Sequence, residues 1–386
     1  MTGHVPYLNS RLQSHAGTIF AEMSALAAKT GSINLGQGFP DVDGPDLIKR
    51  AAIRAIEDGH NQYPPGNGII ELRAAIAAHQ KRFYGLDFDP ESEVLVTAGA
   101  TEAIAACLLG LCEIGDEVVM FEPYYDAYAA CTAMAGAQRR VVALNAPDWS
   151  FEPLALEDAI SDRTRLILVN TPHNPTGKVF SLAELEVIAD VCRRHDLIAV
   201  TDEVYEHLVY ESAHVSLATL PGMAERTITI SSAAKTFSFT GWKVGWVCAI
   251  PELITAVRAA KQYLTYVNGA PFQYAIAEGL NECDQYVVEE ARILRHKRDR
   301  LAQGLDAAGF RVLDSHGTFF LTTDISALSE EDPYTFCRAL PERCGLVAIP
   351  SSVFYDDEVA GRHLVRWMFS KRSEVLEEAI TRLARL

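Results

Sequence analysis

Ile230-Ser231-Ser232-Ala233-Ala234-Lys235-Thr236-Phe237-Ser238-Phe239-Thr240-Gly241-Trp242-Lys243-Val244-Gly245-Trp246 is the stretch on which the fold turns. It follows the β-branched run Thr227-Ile228-Thr229-Ile230, the signature of a buried strand. The strand gives way to small residues and then to a lysine. An ammonium placed just past a buried strand is costly to desolvate, so its pKa falls and the free amine becomes a nucleophile. Such an amine can form a Schiff base with an aldehyde. The Ser232 hydroxyl and the Lys243 ammonium flank it and could hold a phosphate. The plainer reading is a surface lysine after an ordinary strand.

Working outward, strands and helices alternate from about residue 93 onward. Glu93-Val94-Leu95-Val96-Thr97, Val118 to Phe121, Val141 to Leu144, Leu166 to Val169 and Leu197 to Val200 read as strands. Helical stretches between them predict a mostly parallel sheet flanked by helices. Ligands of such sheets bind beyond the carboxyl ends of the strands. Thr101, Tyr125, Asn174, Asp202 and Lys235 all fall at those ends. Singly, each has a plain explanation: Ala98-Gly99-Ala100-Thr101 as a common turn into a helix from Glu102, Asp202 as a helix cap. Their coincidence outweighs those explanations.

Before this region, a helix is expected over Phe20 to Ala28, a short strand and glycine loop at Ile33-Asn34-Leu35-Gly36-Gln37-Gly38, and helices over 45–59 and 70–83. Asn61-Gln62-Tyr63-Pro64-Pro65 is a turn. After it, a long charged helix over about 285–308 leads into a small α+β unit. The strand His363-Leu364-Val365-Arg366-Trp367-Met368-Phe369 carries an arginine that either faces solvent or holds a carboxylate bidentately. The expected division is 1–45 as N-terminal arm and part of a small domain, 46–285 as a large domain, and 286–386 as the C-terminal small domain.

Net charge is −17, with no basic patch for nucleic acid or an anionic membrane. No apolar run approaches membrane-spanning length. The eight cysteines form no C-x-x-C pair and sit mostly in apolar runs, as reduced core residues do. The eleven histidines include no H-E-x-x-H, and no metal site is expected. Met1-Thr2-Gly3-His4-Val5-Pro6 has neither the charged nor the apolar part of a secretory leader, so a cytoplasmic location is expected.

The motifs Asn34-Leu35-Gly36-Gln37-Gly38-Phe39-Pro40, Asn61-Gln62-Tyr63, His173-Asn174-Pro175, Asp202-Glu203-Val204-Tyr205 and Lys235 through Gly245 together resemble those of class I/II, fold-type I aminotransferases. These enzymes depend on pyridoxal 5'-phosphate (PLP). The resemblance covers nearly the whole chain. It is closest to the kynurenine/glutamine/methionine subgroup and to actinobacterial N-succinyldiaminopimelate aminotransferases. It implies an α/β fold with a large PLP-binding domain, a small α+β domain and a homodimer with shared active sites. Amino acids and 2-oxo acids would be the substrates.

The resemblance implies that Lys235 carries the cofactor and moves the proton, and that Asp202 pairs with the pyridine nitrogen. Asn174 and Tyr205 would bond the phenolic oxygen, and Tyr125 would stack on the ring. Ala100, Thr101, Ser232 and Lys243 would hold the phosphate, with Tyr63 reaching it from the other subunit. Arg366, near Gly36 and Asn174, would bind the substrate carboxylate. Many relatives carry arginine where this chain has Lys243; the kynurenine-like subgroup shares the lysine. Ile19, Phe20, Tyr63 and the 266–268 turn are expected to form the side-chain pocket. A carbon–sulfur lyase on the same fold is the alternative; a PLP-binding regulator would need a DNA-binding domain for which the chain has neither length nor charge.

Overall fold

Seven strands form the central sheet in the order Val94–Thr97, Gly245–Cys248, Thr227–Ser232, Ile198–Asp202, Thr164–Asn170, Glu117–Glu122, Gln138–Ala143. The structure, a computed structural model, describes residues 5–386; the first four residues of the expected N-terminal arm lie outside it. The five strands from Thr227–Ser232 to Gln138–Ala143 are mutually parallel. Gly245–Cys248 runs antiparallel to both its neighbours. Its first residue, Gly245, therefore pairs with Thr97 and Ser232 at the rim where the other strands end.

Both faces of this sheet are covered, which is why its strands read as continuous apolar runs. Alternate residues divide between the faces. Val118, Met120, Leu166, Leu168 and Ile228 pack with the helices Ala100–Leu111 and Pro251–Lys261. Val119, Phe121, Ile167, Val169 and Ala199 pack with the helix Leu182–Arg194. At one edge, Val94, Val96 and Trp246 meet the helices Asp46–Glu57, Ile70–Tyr84 and Ala270–Glu282.

A second, antiparallel sheet has the order Ile349–Pro350, Leu364–Met368, Phe320–Asp324, Arg311–Val312. The helices Asp284–Ala307, Pro333–Cys344 and Ser373–Leu383 cover it, around Trp367, Phe310 and Phe336. Ile33–Asn34 pairs in parallel with Leu346–Val347 as a separate two-stranded sheet, and the Met368 N–H, donating to the Leu35 carbonyl, ties the N-terminal stretch to the antiparallel sheet.

Element boundaries differ from expectation in ways that matter at the rim. The helix expected from Glu102 begins at Ala100, so Ala100 and Thr101 occupy its first turn. The strand expected to end at Ile230 continues to Ser232, and Lys235 sits in the single helical turn Ala233–Thr236. Asp202 is the last residue of its strand and not the first beyond it. The edge strand begins at Gln138 and not Val141, because exposed Gln138, Arg139 and Arg140 conceal it from an apolar search. Gly245 is required by close approach: a Cβ there would lie 2.6 Å from the Gly99 carbonyl carbon.

All eight cysteines are unpaired, and only Cys112 is not fully buried. No helix among the described residues is long and apolar enough to cross a membrane.

Candidate active site

The parallel register places Asn170 beside Asp202, and Ser232 ends the next strand. Above these strand ends lies a cavity of about 330 Å³. Ala100, Thr101, Tyr125, Asn174, Asp202, Tyr205, Ser232, Lys235, Lys243 and Arg366 all line it. Gly36 is just outside the lining, and its carbonyl accepts a 2.8 Å hydrogen bond from Arg366 Nη2. Tyr63 is not in the lining; it is 82% exposed, edge-on to Tyr266 at 5.6 Å. Of the expected side-chain pocket, Phe20 reaches the cavity, whereas Ile19, Tyr63, Tyr266 and Asn268 do not line it in the single chain. Asn268 instead braces the backbone, donating to the carbonyls of Thr97 and Lys243.

The loop after Thr164–Asn170 holds Asn174 by its own hydrogen bonds. The Asn174 N–H donates to Asn170 Oδ1 at 2.7 Å, and the His173 N–H to the Lys178 carbonyl at 2.8 Å. Asn174 Oδ1 accepts from Arg366 Nη1 at 2.9 Å, which leaves its amide NH2 to donate into the cavity.

Asp202 is buried, and that burial raises its pKa to about 6. The Tyr128 hydroxyl, 2.7 Å from Oδ2, the Val204 N–H and the Lys235 charge oppose the rise. Lys235 moves the other way, down to about 8, chiefly by desolvation, with Asp202 holding it up and Arg366 and Lys243 pushing it down. Its Nζ donates to the Gly38 carbonyl at 2.9 Å and faces the Tyr205 and Phe319 rings at 5.7 and 5.2 Å. At neutral pH the cavity thus holds a carboxylate and an amine within easy reach of its reactive, uncharged form.

Two anion-binding positions are built into the walls. The first is the start of the helix Ala100–Leu111. Gly99 caps it at φ +81°, its first N–H groups have no partner within the helix, and Ser232 and Lys243 lie alongside. A Cβ at Gly99 would sit 3.1 Å from Lys243 Nζ, so the ammonium is folded directly over this turn. The second is Arg366. It is 0% exposed, and Phe320 and Phe354 face its guanidinium at 4.1 and 5.0 Å. Burial lowers its pKa to about 10. Its Nε is buried with no acceptor, and among the described residues no carboxylate pairs with it. A small molecule bearing an aldehyde, a phosphate and an aromatic ring fits these features: an amine, a helix start with a cation, and the flat Tyr125 side chain.

Sequence reasoning missed Tyr128, Asn170 and Phe320. Tyr128 was findable, since it sits in the first turn of the helix Asp126–Ala135 that Tyr125 caps, and the two rings meet edge-on at 5.7 Å. Phe320 was not, because its place against Arg366 depends on strand register across the second sheet.

The amine should titrate where burial puts it. In protein free of cofactor, acylation of Lys235, followed by peptide mass spectrometry, should rise with a midpoint near pH 8, well below the ordinary lysine value of 10.5. Asp202→Asn removes the charge that holds the ammonium and should move that midpoint lower. A midpoint above pH 10, or an upward move in the variant, contradicts this account of the cavity.

Comparison with known proteins places this geometry. The family model described as aminotransferase class I and II matches residues 30–383. The probable N-succinyldiaminopimelate aminotransferase DapC of Mycobacterium tuberculosis is 54% identical, with 97% of each chain covered. The methionine aminotransferase of Escherichia coli is 38% identical over the whole of both chains, 100% of each. A solved structure of N-succinyldiaminopimelate aminotransferase from Mycobacterium tuberculosis superposes with a TM-score of 0.96, covering 98% of this chain and 99% of that one. With a family match over most of its length and a cavity lined by the lysine, aspartate and arginine that the family resemblance singles out, this chain belongs to the class I and II aminotransferases.

Proposed function

We propose that this enzyme uses PLP to move the amino group of an L-amino acid to a 2-oxo acid by a ping-pong exchange, with N-succinyl-LL-diaminopimelate as first-choice donor. The observation that carries the reading is Arg366: a fully buried guanidinium without a carboxylate partner among the described residues, in the same cavity as a lysine of lowered pKa. A buried cation left unpaired is costly, and a substrate carboxylate would complete it.

When bound, PLP supplies the electron sink for bonds at the substrate Cα. The chain's residues supply position and charge. Lys235 Nζ would hold the cofactor covalently and, once released by the substrate amine, take the proton from Cα. Asp202 would keep a negative charge against the ring nitrogen, with Tyr128 fixing its carboxylate. The Asn174 amide and the Tyr205 hydroxyl would donate to the phenolic oxygen, and Tyr125 would stack on the ring. The Ala100 and Thr101 N–H groups, Ser232 and Lys243 would anchor the phosphate. Arg366 would take the α-carboxylate bidentately through its vacant Nε edge.

The donor is inferred from the 54% identity to the mycobacterial relative. A second reading, a methionine, kynurenine or glutamine donor, is favoured by the Phe20, Phe39 and Phe320 lining. The relatives are named as aminotransferases, so transfer is preferred over the lyase alternative. We also read 46–285 as the large domain and 286–386 with part of 1–45 as the small one. The pairing of Ile33–Asn34 with Leu346–Val347 supports this, although the helix Asp284–Ala307 begins just before the boundary. Limited proteolysis cutting within 286–386 as readily as at its edge would count against the division.

A panel of donors against 2-oxoglutarate tests the reaction. N-succinyl-LL-diaminopimelate should give the highest kcat/KM, and aspartate far less than methionine or kynurenine. Methionine or kynurenine in first place would install the second reading; aspartate in first place, or release of ammonia and pyruvate without a 2-oxo acid, would overturn the proposal. Arg366→Ala should raise KM and cost about 2–5 kcal/mol in kcat/KM for every donor alike, as expected for loss of one partner of a buried charge pair.

Tyr63 supports a shared site in a homodimer. It is exposed, stands edge-on to Tyr266 and does not line its own chain's cavity. Mixing Tyr63→Phe and Lys235→Ala subunits should produce hybrids with one site carrying both lesions and one carrying neither. Recovered activity in isolated hybrids is the expected result; hybrids with no recovery would refute the sharing.

A further inference from the structure

The two stretches that line the cavity turn alternate residues away from it. Tyr205 and Ser232 face the cavity, while Glu206 and Ser231 meet behind it, where the Ser231 hydroxyl donates to Glu206 Oε1. Among the described residues Glu206 Oε2 is buried and makes no hydrogen bond of good geometry, and the nearby Tyr84 hydroxyl is the one further side-chain donor that faces this carboxylate. Beside it, His79 Nε2 lies 2.7 Å from His207 Nε2. The ligand atoms of His79, Glu206 and His207 all fall within 4.8 Å of one another. Glu206 and His79 are each 2% exposed. None of these residues serves the reaction derived above.

A buried carboxylate held only by neutral hydroxyl groups is expensive, and no cationic side chain among the described residues pairs with it. We propose that His79, Glu206 and His207 bind one divalent first-row transition ion of the zinc type, in a site back to back with the active site. Two imidazoles and one carboxylate are a donor set for such an ion, and the nitrogens disfavour magnesium and calcium. The distances suit it. Bonds of about 2.0–2.1 Å in a tetrahedron set two nitrogens about 3.3 Å apart, so the rings need part by well under ~1 Å. Phe83 packs against both imidazoles, at 4.8 Å from His79 and 4.7 Å from His207, and holds them facing each other. A separate cavity lined by Glu206, His207 and His214 opens beside them and would admit the ion and a water as fourth ligand. His79 Nδ1 lacks the acceptor that commonly supports a metal-bound imidazole, so this site should bind less tightly than a fully braced one.

The sequence expectation of no metal site rested on the absence of a local motif. His79 and His207 are 128 positions apart and meet only through the fold.

The test uses the holoenzyme stripped of metals with a chelator and titrated with Co(II), then with Zn(II). One equivalent of Co(II) per chain should bind, with the visible bands of a tetrahedral site, and Zn(II) should displace it. Glu206→Gln and His207→Ala should each weaken Co(II) binding at least about 10-fold, the lower end of what loss of ligand support costs. His195→Ala, whose ring pairs with Glu157 and does not line that cavity, should leave it unchanged. Cobalt-edge X-ray absorption on the wild type needs no variant and should report imidazole ligands. No stoichiometric binding, an all-oxygen shell, or equal binding by both variants would each overturn the proposal.

Discussion

Confining Lys235, Asp202 and Arg366 in one cavity of about 330 Å³ strips all three of water, and the rest of the structure follows from managing that cost. Each pKa moves toward the neutral form: Asp202 up to about 6, Lys235 down to about 8, Arg366 down to about 10. For Lys235 the unfolded chain binds the extra proton between pH 8 and its ordinary 10.5. The penalty for burying this ammonium is therefore full below pH 8 and is relieved as pH rises through that window. Stability held back in this way leaves the amine deprotonated at little further cost, which is the state a nucleophile needs.

The fold delivers these groups through the ends of parallel strands. Asn170, Asp202 and Ser232 close adjacent strands, and the antiparallel Gly245–Cys248 returns Lys243 to the same rim. The second sheet contributes Arg366 from a strand buried at every position. Its guanidinium bonds to the Gly36 carbonyl and to Asn174, one from the N-terminal stretch and one from the central sheet's loop. The site is thus assembled from three distant parts of the chain, and Arg366 holds them together before any substrate enters.

Much of this was legible in the sequence, because β-branched runs mark strands and polar residues at their ends mark a site. Lys235, Asp202, Asn174, Thr101 and Tyr125 were found that way, and the structure brings all of them to one cavity. What was not legible needed register or tertiary contact. Arg366 could equally have faced solvent until Thr322 and Ile349 were known to flank it in the sheet. Phe320 joins the cavity only through that same pairing. Tyr63, Tyr266 and Asn268 read as pocket residues, yet two are held at the surface and one is used up bracing backbone. The helix at Ala100 began earlier than expected because a glycine at φ +81° serves as its cap without a side-chain bond.

The central claim is that Lys235 is the residue to which the cofactor is joined. Purified protein should be saturated with PLP, reduced with borohydride, digested and mapped by mass spectrometry. The account predicts a single stable adduct on the peptide containing Lys235, absent in Lys235→Ala. An adduct on Lys243 or another lysine, or unchanged labelling of the variant, would contradict it.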